Sequence, residues 1–402
     1  MVFFYDTNIY NIYFVFIKWI STKNKITSVI LISTIMIGPK AYIHSDRLSN
    51  NILKIKNIIS DKNLMLVVKA NGYGHGALNI VNNISHDSKI IFGTFSINEA
   101  LELRNSGIKN NIFIFSKIQK SWIHLALENN LWINATDMDD LKILNQFYKK
   151  KNACPNIHLK FDTGMTRLGF DMQDSNEVFE YILKRPFLPI EGLYSHFSTA
   201  DEGDLSYVEI QLNRFKKILK KGIEKGINFK YIHCSNSGAV LNKINSMFNT
   251  VRIGMLAYGV APSDEVSMNI NIDPVMSFCA PIVNLRNVPA NTPVSYGGKY
   301  ITKKSTNIGV IQAGFADGFP RPWYEKGYIS YRGRNYKIAG RVCMDQFMVD
   351  FEDTEPHIGE EVLIFGKRRN DFIPIETISK EIDSTTYVLL TAIHGRTEYV
   401  II

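Results

Sequence analysis

Between Leu64 and Ile253 the chain alternates short apolar runs with amphipathic stretches, and this alternation limits its possible folds more than any other feature. Leu64–Val68 is apolar at every position, which suits a strand buried on both faces, as in a parallel sheet. Further strands are expected at Ile90–Phe95, Ile112–Phe115, Leu131–Asn134, Ile157–Phe161, Ile190–His196, Tyr231–Cys234 and Thr250–Ile253. Helical patterns fall between them at Ile97–Asn105, Asp137–Lys149, Glu177–Leu183 and Gln211–Lys225, and Leu48–Ile59 precedes the first strand with Leu48, Ile52, Ile55 and Ile59 on one face. About eight βα units in about 220 residues match the repeat count and size of a (β/α)8 TIM-type barrel. A doubly wound open sheet shares the alternation, but the count favours the barrel, and the fold class expected is α/β.

The alternation stops near residue 272. Met276–Val283, Ile308–Ala313, Tyr328–Tyr331, Tyr336–Ala339, Met348–Asp350 and Val362–Phe365 read as strands between Pro, Gly and Asn turns, and only Ile375–Ile382 reads as helical. This predicts a barrel domain over 39–272 followed by a mostly β C-terminal domain over 273–402. Residues 1–38 stand apart as an N-terminal extension. Phe3, Phe4, Tyr5, Tyr10, Tyr13, Phe14, Phe16 and Trp19 make its start aromatic, Asp6 and Lys18 break the order of a signal peptide, and Val29–Ile37 is too short to span a bilayer. Three readings remain: a membrane-associating extension, an unusual targeting segment, or translated sequence upstream of the true start. The last is favoured, with Met36 just before the regular pattern.

A formal charge of +8 raises nucleic acid as a partner. The lysines cluster at Lys149–Lys151 and at Lys216, Lys217, Lys220 and Lys221, within helical patterns that are apolar on the opposite face. Solvated helix faces are therefore expected, with no nucleic-acid partner and no stable membrane partner. Cys154, Cys234, Cys279 and Cys343 are widely spaced, which favours a reducing, cytoplasmic setting. No cluster has metal-ligand spacing.

Chemistry concentrates where the first strand ends. In Leu64–Ala77 the apolar run breaks at Lys69, and Gly72, Gly74 and Gly76 follow with Tyr73 and His75 between them. Glycines let the backbone turn and approach a ligand closely. A lysine at the rim of a buried strand either reaches solvent or, if its amine is kept neutral, forms a Schiff base. Arg167, His196, His233 and Arg252 recur at or just after the other strands, where barrel enzymes place their chemistry.

The stretch from Lys69 to Gly76 resembles the cofactor-lysine motif of bacterial alanine racemases. Further matches follow in family order: Leu159 to Gly169, His196 to Glu202, His233 to Ala239, Arg252 to Met255, Val294 to Gly298, Gly314 to Arg321 and Gly340 to Gln346. The resemblance covers roughly residues 40 to 402. It implies a fold-type-III enzyme dependent on pyridoxal 5′-phosphate (PLP), whose barrel holds the cofactor and whose active sites are shared within a homodimer. Its substrate would be alanine, interconverted between L and D forms by two-base proton transfer and supplying D-alanine for peptidoglycan.

The resemblance also assigns roles. Lys69 matches the PLP lysine and the base on one face of the substrate; Tyr296, from the partner subunit, matches the base on the other. Tyr73, Ser237, Gly254 and Met255 match phosphate-binding positions, and Arg252 the residue facing the pyridine nitrogen. His196 and His233 match residues that hydrogen-bond around that arginine and the catalytic tyrosine. Arg167 and Met344 match substrate-carboxylate contacts. Lys160 matches a lysine carbamylated in many relatives, and Asp201, Arg321 and Arg341 go with the entrance corridor. Two departures stand out: Gly395 where relatives often place a phosphate-contacting tyrosine, with His394 or Tyr399 as substitutes, and Phe315 where they commonly have an entrance tyrosine. A broad-specificity amino-acid racemase and a non-catalytic PLP-binding protein are the alternatives. Related decarboxylases use an acidic residue at the position of Arg252.

Overall fold

The protein is represented by a computed structural model that describes residues 14–22, 25–33, 38–244 and 248–402. Phe14–Thr22 and Lys25–Ser33 pair as an antiparallel hairpin, in a unit separate from Pro39–Ile402. Phe3, Phe4, Tyr5, Tyr10, Tyr13 and Met36, on which the reading of the extension leans, lie outside the described residues. Among the described residues no helix is long and apolar enough to cross a membrane.

Eight parallel strands, Asn63–Val67, Ile91–Thr94, Ile112–Ile114, Leu131–Ala135, Ile157–Lys160, Ile190–Tyr194, Tyr231–His233 and Thr250–Ile253, lie side by side in chain order, and the eighth returns to the first. Arg252 stands opposite Met65 at that return. The seventh and eighth strands meet just past their ends, where the Arg252 N–H donates to the Ser235 carbonyl at 3.1 Å. The barrel is thus nearly closed. Successive strand residues point to opposite faces, and the first strand shows it: Leu64 and Leu66 join the core under the helices, while Met65 joins Ile91, Phe113, Trp132, Tyr194 and Tyr231 inside. Gly192 makes room for one more ring, because a Cβ there would stand 2.5 Å from the His158 imidazole.

Helices cover the outside. Ser206–Glu224 buries Val208, Gln211, Leu212, Phe215, Ile218, Leu219 and Gly222, an amphipathic spacing. Lys217 and Lys220 face solvent on it, and Lys149–Lys151 are exposed at the end of Met138–Lys151. These lysines stand on solvated helix faces, and near a helix C-terminus their charge is favourable. Three barrel helices escaped the sequence reading: Ala77–Ile84, directly behind the glycines, and Ile123–Glu128 and Ser237–Leu241, too short to establish a period.

In the C-terminal domain the long strand Met276–Val288 organises the sheet. Its first half pairs with Glu361–Arg368 and its second half with Thr306–Ile311. Lys40–Ile43, read from sequence as the start of the barrel domain, instead pairs with Met276–Cys279 on one side and Glu398–Ile401 on the other. The helix Thr386–Thr391 is a further element the sequence reading lacked.

Candidate active site

Lys69 follows the first strand, and the chain beyond it turns left-handed. Ala70 (φ 52°, ψ 52°), Asn71 (φ 54°, ψ 45°), Gly72 (φ 63°, ψ 42°) and Tyr73 (φ 51°) all have positive φ. For L residues this conformation costs roughly 1–2 kcal/mol each, so contacts must hold it. The Asn71 side-chain oxygen accepts the Ala77 N–H at 2.9 Å, and Glu99 accepts the Ala70 N–H at 2.8 Å. His75, buried and neutral with its pKa lowered to about 4 by burial, stands 3.1 and 3.0 Å from the Gly72 and Tyr73 carbonyls. Lys69 itself is held below the usual lysine pKa, first by burial and then by the charges of Arg167 and Arg252, with Glu99 opposing.

Across the mouth, Arg252 is 4% exposed. Its Nη1 donates to His233 Nδ1 at 2.9 Å, and its Nη2 to His196 Nδ1 at 2.9 Å and to the Ser195 and Cys234 carbonyls at 3.0 Å. Because arginine only donates, both imidazoles must accept through Nδ1. Burial and the arginine's charge keep them neutral, with pKa values well below the ordinary histidine range. His233 is left with its proton on Nε2, from which it donates to His158 Nδ1 at 2.9 Å. Tyr194 stacks on His233 with ring centroids 4.6 Å apart. Neither His158 nor Tyr194 was singled out from sequence, although His158 directly precedes the Leu159–Gly169 motif. Lys160 is 7% exposed and lies over the Tyr194 ring. Its pKa falls to about 8, from burial first and then from Arg167 and Arg252. Asp162 holds the loop that presents Arg167, accepting the N–H groups of Gly164, Met165 and Arg167.

A cup lies beside the lysine. The Gly254 N–H donates to Ser237 Oγ at 3.1 Å, and a Cβ on Gly254 would stand 2.9 Å from the Tyr73 hydroxyl. Met255 is buried next to it. Asn236, not Ser237, caps the short helix Ser237–Leu241, which leaves the Ser237 hydroxyl to the cup. Hydroxyls and a close backbone approach, just beyond Arg252 and Lys69 along the chain, suit a phosphate dianion. The donor set fits PLP: a lysine for attachment, a cup for phosphate and an arginine at the mouth. Near Gly395, Tyr399 is committed to the Ile393 carbonyl at 3.0 Å, and His394 is exposed. Burial raises the pKa of the Tyr73 hydroxyl to about 12, with Tyr387 adding to the rise.

The other expected residues form a second group, in the C-terminal domain. Tyr296 is 70% exposed and Met344 55%. Ser295 donates to the Arg341 carbonyl at 2.6 Å, Arg321 lies over the Phe315 ring, and the Met344 carbonyl accepts the Ala316 N–H at 3.1 Å. Among the described residues no hydrogen bond, ion pair or ring contact joins this group to Lys69 or Arg252. Asp201 stays with the barrel, its backbone against Gly238 and its pKa raised by burial. Among the described residues no group of three or more His, Cys, Asp or Glu is placed to hold a metal ion.

Two family models match the chain: alanine racemase, N-terminal domain, over residues 43–262, and alanine racemase, C-terminal domain, over residues 275–401. Alanine racemase 2 of Caldanaerobacter subterraneus subsp. tengcongensis is 34% identical over 357 residues, 88% of this chain and 92% of that protein. The alanine racemase of Methanococcus maripaludis is 33% identical over 360 residues, 89% of this chain and 96% of its own length. Among solved structures, alanine racemase from Clostridium difficile superposes with a TM-score of 0.85 at 29% identity, covering 92% of this chain and 96% of that one. Alanine racemase from Bacillus anthracis, solved with bound L-Ala-P, gives 0.82 at 28%, covering 91% and 95%. Fold, pocket and likeness together define a PLP-dependent racemase built on a (β/α)8 barrel. The chain belongs to the alanine racemase family.

Proposed function

We propose that this chain interconverts L- and D-alanine as a cytoplasmic homodimer and supplies D-alanine for peptidoglycan, with each active site completed by the partner subunit's Tyr296. When bound, PLP supplies the electron sink that makes the substrate Cα–H acidic. Lys69 holds the cofactor and moves a proton at Nζ on one substrate face. Its lowered pKa suits that work, since a base acts best when its pKa lies near the working pH. The partner subunit's Tyr296 moves a proton at its hydroxyl on the opposite face. Its exposure, and its lack of contact with Lys69 within one chain, support a contribution between subunits.

Tyr73, Ser237, Gly254 and Met255 would hold phosphate, and Arg252, its fork fixed by His196 and His233, would be the residue for the ring nitrogen. Arg167 and the Met344 backbone orient the substrate carboxylate. Lys160, as a carbamate, would pair with Arg167 rather than repel it. Asp201, Arg321 and Arg341 line the entrance.

The observation that carries the reading is Arg252: a buried arginine whose partners among the described residues are imidazoles and carbonyls, with no carboxylate. An acid in that place would suit decarboxylation. Phe315 keeps a second reading open, because a ring without a hydroxyl beside Arg321 alters the entrance and favours a broader racemase. The matched C-terminal domain argues against a non-catalytic PLP-binding protein.

The test is borohydride trapping with peptide mapping, together with a substrate panel of alanine, serine, lysine and arginine. PLP should be found on Lys69, Lys69→Ala should lose that adduct and racemise alanine at least about a thousandfold more slowly, and alanine should lead the panel. Wild-type rates in Lys69→Ala would overturn the mechanism, and serine or lysine turning over as fast as alanine would select the broader racemase.

A further inference from the structure

The left-handed turn behind Lys69 is secured at one end by several groups. Gly74 donates to the Ala70 carbonyl at 3.0 Å, Asn71 accepts from Ala77, and His75 faces the Gly72 and Tyr73 carbonyls. At the other end, beside Lys69, the Ala70 N–H is held by the Glu99 side chain at 2.8 Å. Glu99 belongs to the next βα unit, at the start of the helix Ile97–Asn105. Its Oε2 accepts the N–H groups of Phe95 at 2.7 Å and Ser96 at 3.1 Å, and Ser96 Oγ accepts the Glu99 N–H at 3.3 Å. One carboxylate oxygen therefore caps its own helix, and the other reaches back 29 residues to the turn.

We propose that Glu99 is a positioning residue for Lys69: by accepting the Ala70 N–H it holds the left-handed turn that directs Lys69 into the barrel mouth. The helix cap alone does not require this contact, because the reciprocal pair of Ser96 and Glu99 satisfies it with Oε2. A turn with Ala70 and Asn71 at positive φ needs an external hold, and a charged acceptor provides a strong one. The carboxylate has a second effect. Arg167 and Arg252 act directly on the Lys69 ammonium, Lys160 shares the pocket, His196 is neutral, and Glu99 is the acid acting against them. Position and proton affinity of Lys69 thus depend on one side chain outside the cofactor cup.

The inference rests on Lys69 being the cofactor lysine, and one set of proteins separates the two claims. Cofactor-free wild type, Glu99→Gln, Glu99→Asp and Ser96→Ala are reductively methylated across a pH series, and the label on Lys69 is quantified by mass spectrometry. Glu99→Gln should shift the Lys69 profile to lower pH and, reloaded with PLP, lower kcat about tenfold or more, since a charge-assisted hold is lost. Ser96→Ala weakens the same helix cap and should lower the melting temperature while leaving the Lys69 profile in place. Glu99→Asp keeps the charge but shortens the reach, so its profile should stay near wild type while kcat falls; it also carries the test if Glu99→Gln fails to fold. A Glu99→Gln profile coincident with wild type, an equal shift in Ser96→Ala, or a wild-type kcat in Glu99→Asp would overturn the proposal. PLP trapped on another residue of the wild type would instead overturn the reading beneath it.

Discussion

Gly254→Ala tests the phosphate cup with one methyl group. Gly254 does not have positive φ, so alanine fits its backbone and the effect must come from the new Cβ. That atom would stand 2.9 Å from the Tyr73 hydroxyl and 3.2 Å from Cζ. Contacts under 3 Å are not tolerated, so the ring or the strand end must shift. The ring has little freedom. Tyr73 sits at positive φ in the turn and packs on Tyr258, which stacks on His75 and is anchored to the Val67 carbonyl at 2.9 Å. Displacing the hydroxyl removes a hydrogen bond to a charged group, worth about 1.5–3 kcal/mol, or roughly 10- to 150-fold in PLP affinity. Titrating cofactor-free protein with PLP and following absorbance gives that affinity directly. Tyr73→Phe should weaken binding to a similar degree, and the double variant should be little worse than either single one, because both remove the same contact. Wild-type affinity in Gly254→Ala, or full additivity in the double variant, would refute the cup as drawn.

Tyr296→Phe should leave PLP binding intact and slow exchange of the Cα proton on one face by about 10²–10⁴-fold; deuterium wash-in from L-alanine and from D-alanine in heavy water reads the two faces separately, and equal wild-type rates would reject the assignment. Lys160 gives a pH signature. Its folded pKa of about 8 lies below the model-peptide value of 10.5, so between those values the unfolded chain holds a proton that the folded chain has lost, and stability rises with pH. The penalty for the charged form is present in full below about pH 8. Lys160→Met in carbonate-free buffer should therefore raise the melting temperature most near pH 7 and progressively less toward pH 10, and a pH-independent gain would contradict the burial argument.

The barrel was legible because a strand buried on both faces is written as a continuous apolar run, and because helices separate such runs at regular intervals. Lys69, Arg252 and the histidines were legible as polar residues at the ends of those runs. Other features are not local in sequence. Lys40–Ile43 pairs with Glu398–Ile401, and nothing near either segment signals a partner at the far end of the chain. The left-handed turn is announced only by Asn71 and Gly72, since Ala70 and Tyr73 are held at positive φ by contacts rather than by their own preference. Glu99 was within reach: Ser96-x-x-Glu99 is the signature of a capping box, although its reach to Ala70 is not. The proposed pairing of Lys69 with the partner subunit's Tyr296 would cross between groups that do not meet in one chain, so monomer geometry does not display it.

The electrostatics of the mouth explain why these residues form one site rather than several. Lys69, Lys160, Arg167 and Arg252 act on one another, and burial and mutual repulsion lower the pKa values of both lysines. Arg252, the most buried part of that arrangement, spends its donors on neutral imidazoles and carbonyls, which stabilise the guanidinium without cancelling its charge. Lys160 and Arg252 are buried, Lys69 is partly buried and Arg167 is exposed, and cations held together away from water are unfavourable unless anions join them. Glu99 and Asp162 counter part of this charge, at Lys69 and Lys160 respectively, yet both lysines stay below the ordinary lysine pKa. Under the proposed function the remaining charge is met by ligands: a phosphate dianion in the cup at Tyr73, a carboxylate at Arg167, and a carbamate on Lys160. Under the same proposal, selectivity for an amino-acid substrate follows, since a molecule without a carboxylate would leave Arg167 unmatched.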